Sequence, residues 1–132
     1  MALVLDASAL ARAALGLDLP AQTLRRRLVR EVCHAPHLVD AEVGHALRRQ
    51  VLRGLLPEAK GESLLGEAAA LVDHRHQMTG WLALAAWKLR QNLTFYDALY
   101  AALAQALAVP LLTCDESLAR SPGLPCTIEL VA

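Results

Sequence analysis

Short unbroken apolar runs alternate along this chain with longer stretches whose apolar residues recur every three or four positions. Residues 2–5 (ALVL) and 109–113 (VPLLT) are runs of the first kind, which mark strands buried on both faces. The run at 2–5 ends at Asp6, and Ser8 is positioned to cap a following helix. Leu19 and Pro20 open a second helix that reaches about Val29, with Pro20 in the first turn, where its missing N–H does no harm. A brief strand fits 32–35, and Pro36 interrupts. A long helix then runs from 39 or 40 to 53, with Val43, Leu47 and Val51 on one stripe and Gly54 as its stop. Residues 57–72 read as another helix, while 73–77 fit a strand or a loop equally. Thr79 and Gly80 begin a helix ending near Asn92, and Thr94 starts the next, 95–107, with Leu99, Leu103 and Leu107 aligned. A last strand fits 127–131. Strands alternating with amphipathic helices predict an α/β domain with a parallel sheet and right-handed crossovers.

A length of 132 residues suits one domain spanning 1–132, and 55 % apolar residues exclude a disordered chain. The formal net charge is zero, so any contact with nucleic acid must come from local patches. Two exist: Arg25, Arg26, Arg27 and Arg30, and Arg48, Arg49 and Arg53; each is equally readable as a solvated helix face. Cys33, Cys114 and Cys126 have neither close pairing nor zinc-ligand spacing, which fits reduced thiols and a cytoplasmic location. The residues before Asp6 are too few to form the apolar region of a secretory leader, so none is expected. The longest apolar stretch, 98–114, is broken by Gln105 and Pro110 and falls short of the ~20 residues a membrane span requires.

The candidate chemistry lies in four acidic residues. Asp6 and Asp115 follow apolar strands, and ligands of open α/β sheets bind beyond the carboxyl ends of the strands. Glu42 and Asp97 fall in first turns of helices, which begin at that same edge. The expectation is that the four converge on one small cleft. Two carboxylates ~4 Å apart repel by about 4 kcal/mol at an effective dielectric near 20, so convergence calls for protons or a cation. Oxygen ligands favour a hard cation such as Mg²⁺ or Mn²⁺, and metal-assisted hydrolysis of a phosphodiester is the chemistry such a site suits. Each acid also has a local structural use. Asp97 stands at capping-box spacing from Thr94, Asp115 can cap a turn, Asp6 can form one, and Glu42 suits a helix dipole. Capping and ligation are compatible.

The segments LVLDASAL, LVDAEVGHALRR, LTFYDALYAALA and LLTCDESLA occur in the order and approximate spacing of the PIN domain. The chain resembles that family over essentially its whole length, and within it the VapC-like toxins of type II toxin–antitoxin systems. The resemblance implies a three-layer α/β/α sandwich around a central parallel sheet. It also implies an endoribonuclease dependent on Mg²⁺ or Mn²⁺, with Asp6, Glu42, Asp97 and Asp115 as the catalytic and metal-binding acids. Ser8 and Thr113 would be supporting polar positions. RNA (tRNA or rRNA) would be the substrate, a cognate VapB-like antitoxin the partner, and a homodimer the usual assembly.

Arg120, just after Asp115, and Tyr96, next to Asp97, are candidate RNA contacts. Trp81, Trp87 and Phe95 can stack on bases, but Trp81 and Phe95 read better as core. Cys114 has no base placed to activate it and reads as a buried thiol. His74 and His76 lack acidic or cysteine neighbours at zinc spacing. The amphipathic helices 20–29 and 57–72 are candidates for a partner groove. Two other functions compete. One is a phosphotransferase using Asp6 as nucleophile, although Ser8 stands where such enzymes carry a second acid. The other is a non-catalytic protein- or RNA-binding module of the same fold.

Overall fold

The computed structural model describes residues 1–132. Five parallel strands form one sheet in the order β3-β2-β1-β4-β5, where β1 is Ala2–Leu5, β2 Val32–Pro36, β3 His74–His76, β4 Leu111–Thr113 and β5 Ile128–Leu130. Central β1 pairs with β2 through Ala2 and Val32 and with β4 through Val4 and Leu111. Leu3, Val4, Leu5, Leu111 and Leu112 are wholly buried, as strands covered on both faces require.

Seven helices connect the strands: α1 (Ala7–Leu15), α2 (Leu19–Arg30), α3 (Leu38–Leu52), α4 (Glu58–Ala70), α5 (Trp81–Trp87), α6 (Phe95–Leu107) and α7 (Glu116–Ala119). The chain steps from β1 to β2 to β3 in one direction and then returns past β1 to β4. Right-handed crossovers therefore place α1–α4 on one face and α5 and α6 on the other. The packing agrees, since α1 contacts α2, α3 and α4, whereas α5 packs on α6 and α6 on β1 and β2. The result is the expected α/β/α sandwich. The reversal between β1 and β4 also creates a topological switch point, where a crevice opens beyond the strand ends.

Several boundaries differ from the sequence expectation. Asp6, not Ser8, caps α1, because its carboxylate accepts from Ala9 N at 2.9 Å while Ser8 lies inside the first turn. Pro36 does not interrupt β2 but ends it, at a strand terminus, where proline is tolerated. Helix α3 begins at Leu38, so Glu42 is its fifth residue rather than part of its first turn, which carries Asp40 instead. Residues 74–76 form a strand, seated beside β2 by backbone pairing and by a hydrogen bond between His34 Nδ1 and His76 Nε2 at 3.0 Å. Helix α5 stops at Trp87, short of Asn92.

Trp81 and Phe95 are not core residues. Leu82 and Ala86 supply the buried face of the seven-residue helix α5, and Trp81 and Trp87 are left outside. Phe95 opens α6 at the sheet edge, one residue after its Thr94 cap, and is likewise exposed.

Candidate active site

Asp6 is the most firmly held of the four acids. It follows β1 directly and is only 6 % exposed. Its Oδ1 accepts from Ser8 Oγ at 2.6 Å and from Ala9 N at 2.9 Å, and its Oδ2 accepts from Thr113 Oγ1. Three donors occupy most of the roughly four acceptor positions of a carboxylate. Burial pushes the Asp6 carboxyl above the usual range, the hydrogen bonds from Ser8, Thr113 and Ala9 oppose that shift, and the charge of Asp115 adds to it.

Thr113, wholly buried at the end of β4, joins the first and last acids. Its hydroxyl donates to Asp6 and accepts from Asp115 N at 3.0 Å. Ser8 makes a parallel link, donating to Asp6 while accepting from Cys114 N at 2.9 Å. Asp115 is exposed and caps α7, its Oδ1 accepting from Ser117 N at 2.8 Å and Leu118 N at 3.3 Å.

Asp97 stands in the first turn of α6, where Thr94 Oγ1 accepts from its backbone N–H at 3.1 Å. Its carboxyl is shifted upward, first by burial and then by the charge of Asp115, with smaller contributions from Asp6 and Glu42, while Thr94 opposes the shift. Asp97 therefore lies within electrostatic range of acids carried by three other segments of the chain. Glu42, on α3, accepts a 2.6 Å hydrogen bond from the Tyr100 hydroxyl on α6. Tyr100 is 1 % exposed, and burial together with this bond to a carboxylate raises its phenol well above the ordinary value. The sequence reading missed Tyr100. Its position three residues after Asp97, on the same face of a helix, was the available signal.

None of the four acids pairs with a cation. The ion pairs lie elsewhere: Arg12–Asp18, Arg27–Glu31, Arg27–Glu129, Arg75–Asp40 and Arg120–Glu116. As the side chains stand, no three acidic, histidine or cysteine groups converge on one point at ligand distance. Glu42 is turned onto Tyr100, and one oxygen of Asp115 is engaged by its own helix. The donor set nevertheless suits a hard divalent cation: four carboxylates, two hydroxyls and no nitrogen or sulfur ligand.

A family model described as PIN domain matches residues 3–124. The chain belongs to the PIN-domain family. This PIN domain is 50 % identical over 128 residues to Ribonuclease VapC1 of Mycobacterium tuberculosis, covering 97 % of this chain and 96 % of that protein. It is 40 % identical over 131 residues to Ribonuclease VapC12 of the same organism, covering 98 % and 99 %. Among solved structures, VapBC2 from Rickettsia felis bound to a DNA fragment from its promoter matches all of both chains with a TM-score of 0.74 at 15 % identity, a likeness of fold.

The remaining candidates divide. Tyr96 is exposed beside Asp97. Arg120 is exposed but paired with Glu116 at 2.7 Å. Two arginines of the first basic patch are structural: Arg25 donates to Ala13 O and Gly16 O at 2.6 Å each, and Arg27 holds Glu31 and Glu129. Cys114 is only partly buried, and burial and the nearby Asp6 push its thiol upward, which weakens it as a nucleophile. The cavity between α1, α3 and α4, about 620 Å³, is lined by Leu10, Val43, Leu65 and Ala69. Helix α2 lines a separate cavity, of about 400 Å³, through Leu19, Pro20 and Leu24 with Val131. No helix is long and apolar enough to cross a membrane.

Proposed function

We propose that this PIN domain is an endoribonuclease dependent on Mg²⁺ or Mn²⁺ and the toxin of a toxin–antitoxin pair. The observation that carries the reading is the cluster of Asp6, Glu42, Asp97 and Asp115. Asp6 and Asp97 both have carboxyls raised by burial and by neighbouring acids, and none of the four has a cationic side chain to offset its charge. Identity of 50 % to a protein named a ribonuclease supports the same activity.

When bound, the divalent ion supplies charge stabilisation for the phosphoryl group and makes water more acidic. Asp6 is the fixed ligand, its position set by Ser8, Ala9 and Thr113. Thr113 couples Asp6 to Asp115, so the two strand-end acids keep one spacing. Asp97 and Glu42 approach from opposite layers, and Tyr100 orients Glu42. The scissile phosphate is held over this edge, and hydrolysis leaves 3′-hydroxyl and 5′-phosphate ends. A phosphotransferase role for Asp6 is disfavoured, because both its oxygens already accept hydrogen bonds and little of the side chain is open to in-line attack.

A VapB-like antitoxin is the proposed partner, and the apolar cavity between α1, α3 and α4 is the surface for its helix. A homodimer is the proposed assembly. The test is digestion of total bacterial RNA by the partner-free protein with Mg²⁺ or Mn²⁺ and with EDTA, beside Asp6→Asn and Asp97→Asn. Discrete fragments that require metal and vanish in both variants, and that the co-purified antitoxin suppresses, are expected. A folded protein that neither binds Mn²⁺ nor cuts RNA would instead be a binding module.

A further inference from the structure

Four of the chain's five Phe, Tyr and Trp side chains lie on the surface, all within one short segment. Trp81 is 54 % exposed, Trp87 58 %, Phe95 41 % and Tyr96 60 %. Large aromatic side chains ordinarily supply core, and here only Tyr100 does. Trp81 and Trp87 flank Leu84 on the outer face of α5, while Phe95 and Tyr96 open α6 immediately before Asp97. The apolar face thus runs along the chain into the acid cluster.

The charge around it is distinctive. Residues 74–96 form the longest stretch of the chain without Asp or Glu. Lys88 and Arg90 lie within it, exposed and without a carboxylate partner, and the Arg90 guanidinium sits 5.0 Å from the centre of the Trp87 ring. Exposed aromatic rings with unpaired cations, in a molecule of zero net charge, suit a ligand that has flat faces and negative charge. Nucleic-acid bases and phosphates are such a ligand. A second copy of the chain suits the surface less well. A two-fold contact through this face would set Lys88 and Arg90 against the same cations of the other copy, with no acid to relieve them.

We infer that α5 and the start of α6 form a stacking platform on which unpaired bases of RNA rest while the adjoining phosphate reaches the acid cluster. The inference rests on the nuclease reading for its direction, toward Asp97, but not for the binding itself. Bases can stack on Trp81, Trp87 and Tyr96 only when they are free of a duplex, so the platform selects unpaired segments.

Trp81 and Trp87 are the only tryptophans, so intrinsic fluorescence reads the platform directly. The Asp97→Asn protein, in which cleavage is abolished under the proposed function, is titrated in Mg²⁺ with a short single-stranded RNA and with the same strand fully paired. Quenching by the single strand and not by the duplex is expected. Adding Trp87→Ala or Tyr96→Ala should weaken affinity by at least about fivefold with the melting temperature unchanged, since both side chains are exposed. Binding without quenching, or affinity indifferent to both substitutions, overturns the platform. So does a sedimentation result in which the wild-type dimer becomes monomeric on Trp81→Ala with Trp87→Ala, because the face is then an interface between copies. Quenching by single strands from a protein that cuts no RNA would uphold the platform and remove the nuclease reading. Metal-dependent cleavage unaffected by Trp87→Ala and Tyr96→Ala would do the reverse.

Discussion

Replacing Thr113 by Val tests how the site is held together. The substitution keeps the shape and removes one buried hydroxyl that donates to Asp6 Oδ2, accepts from Asp115 N and lies 3.3 Å from the Ser8 hydroxyl. A hydrogen bond to a charged group contributes about 1.5–3 kcal/mol, and the Asp115 amide also loses its acceptor, so a loss of about 2–3 kcal/mol is expected near pH 7. Unfolding entropy scales at roughly 2.1 cal/mol/K per residue, so for this length the melting temperature should fall by about 7–11 °C. The effect must depend on pH. The folded-state pKa of Asp6 is already raised by burial, so its contribution to stability is fully present below its unfolded value and is lost as pH rises through the folded one. Removing the Thr113 donor raises that pKa further and enlarges the loss at neutral pH. Near pH 3, below both the ordinary and the raised carboxyl value, the carboxyl is protonated and the penalty should shrink to about 1 kcal/mol, the value of a neutral hydrogen bond. Urea unfolding of wild type, Thr113→Val and Thr113→Ser in EDTA at the two pH values measures it, and Thr113→Ser should recover most of the loss. An equal penalty at both pH values, or none at pH 7, would refute the coupling of Thr113 to ionised Asp6.

Asp97→Asn removes a carboxylate disfavoured by burial and by like charges, so in EDTA near pH 7 it should be more stable than wild type by up to about 1 kcal/mol, while RNA cleavage disappears. A less stable variant in urea unfolding would contradict the crowding of the acids. Mg²⁺ or Mn²⁺ at a hundredfold excess over its dissociation constant should stabilise wild type by about 2.7 kcal/mol, and the Asp6→Asn, Asp97→Asn double variant by almost nothing, as read by thermal scans. Ala108 ends α6 in the left-handed region at φ 55°. Ala108→Gly should therefore raise stability by about 0.5–1 kcal/mol in chemical denaturation, the left-handed strain of alanine less the extra chain entropy of glycine. At Gly16 a Cβ would lie 2.3 Å from Ala21 Cβ and 2.9 Å from Arg12 O. Gly16→Ala should cost about 1–3 kcal/mol through the junction of α1 and α2, measured the same way.

Much of this molecule was legible in its sequence because strand burial and helix periodicity leave strong marks. Residues 2–5 and 95–107 matched their elements residue for residue, and the parallel sheet followed from the alternation of strands and helices. The places of Asp6 and Asp115 after strands and of Asp97 in a first helical turn were legible for the same reason, since such positions are fixed by the alternation of strands and helices. What escaped depended on neighbours distant in sequence. Nothing near Tyr100 announces that its hydroxyl meets Glu42 from another layer. The exposure of Trp81 follows from how little of α5 the core covers, and that of Phe95 from its place at the very start of α6, which composition alone does not tell. The fifth-residue position of Glu42 turned on where α3 starts, and His37 offers no side-chain cap to mark it.

The acids also differ in how firmly they are held, and this bears on how a cation would be received. Asp6 is fixed by three donors, two of them hydroxyls that also accept from the backbone of the opposite strand end. Those hydrogen bonds oppose the effect of burial on its proton affinity, so one arrangement both caps α1 and favours the charged form a ligand needs. Asp115 spends one oxygen on α7 and keeps the other free. Glu42 is held by a single side-chain hydrogen bond, and Asp97 stands among like charges that favour any cation able to relieve them. Under the proposed function, an arriving ion would meet one preset ligand, and only the more loosely held carboxylates would need to turn. That is why substitution at Thr113 should disturb folding and catalysis together, whereas substitution at Asp97 should separate them.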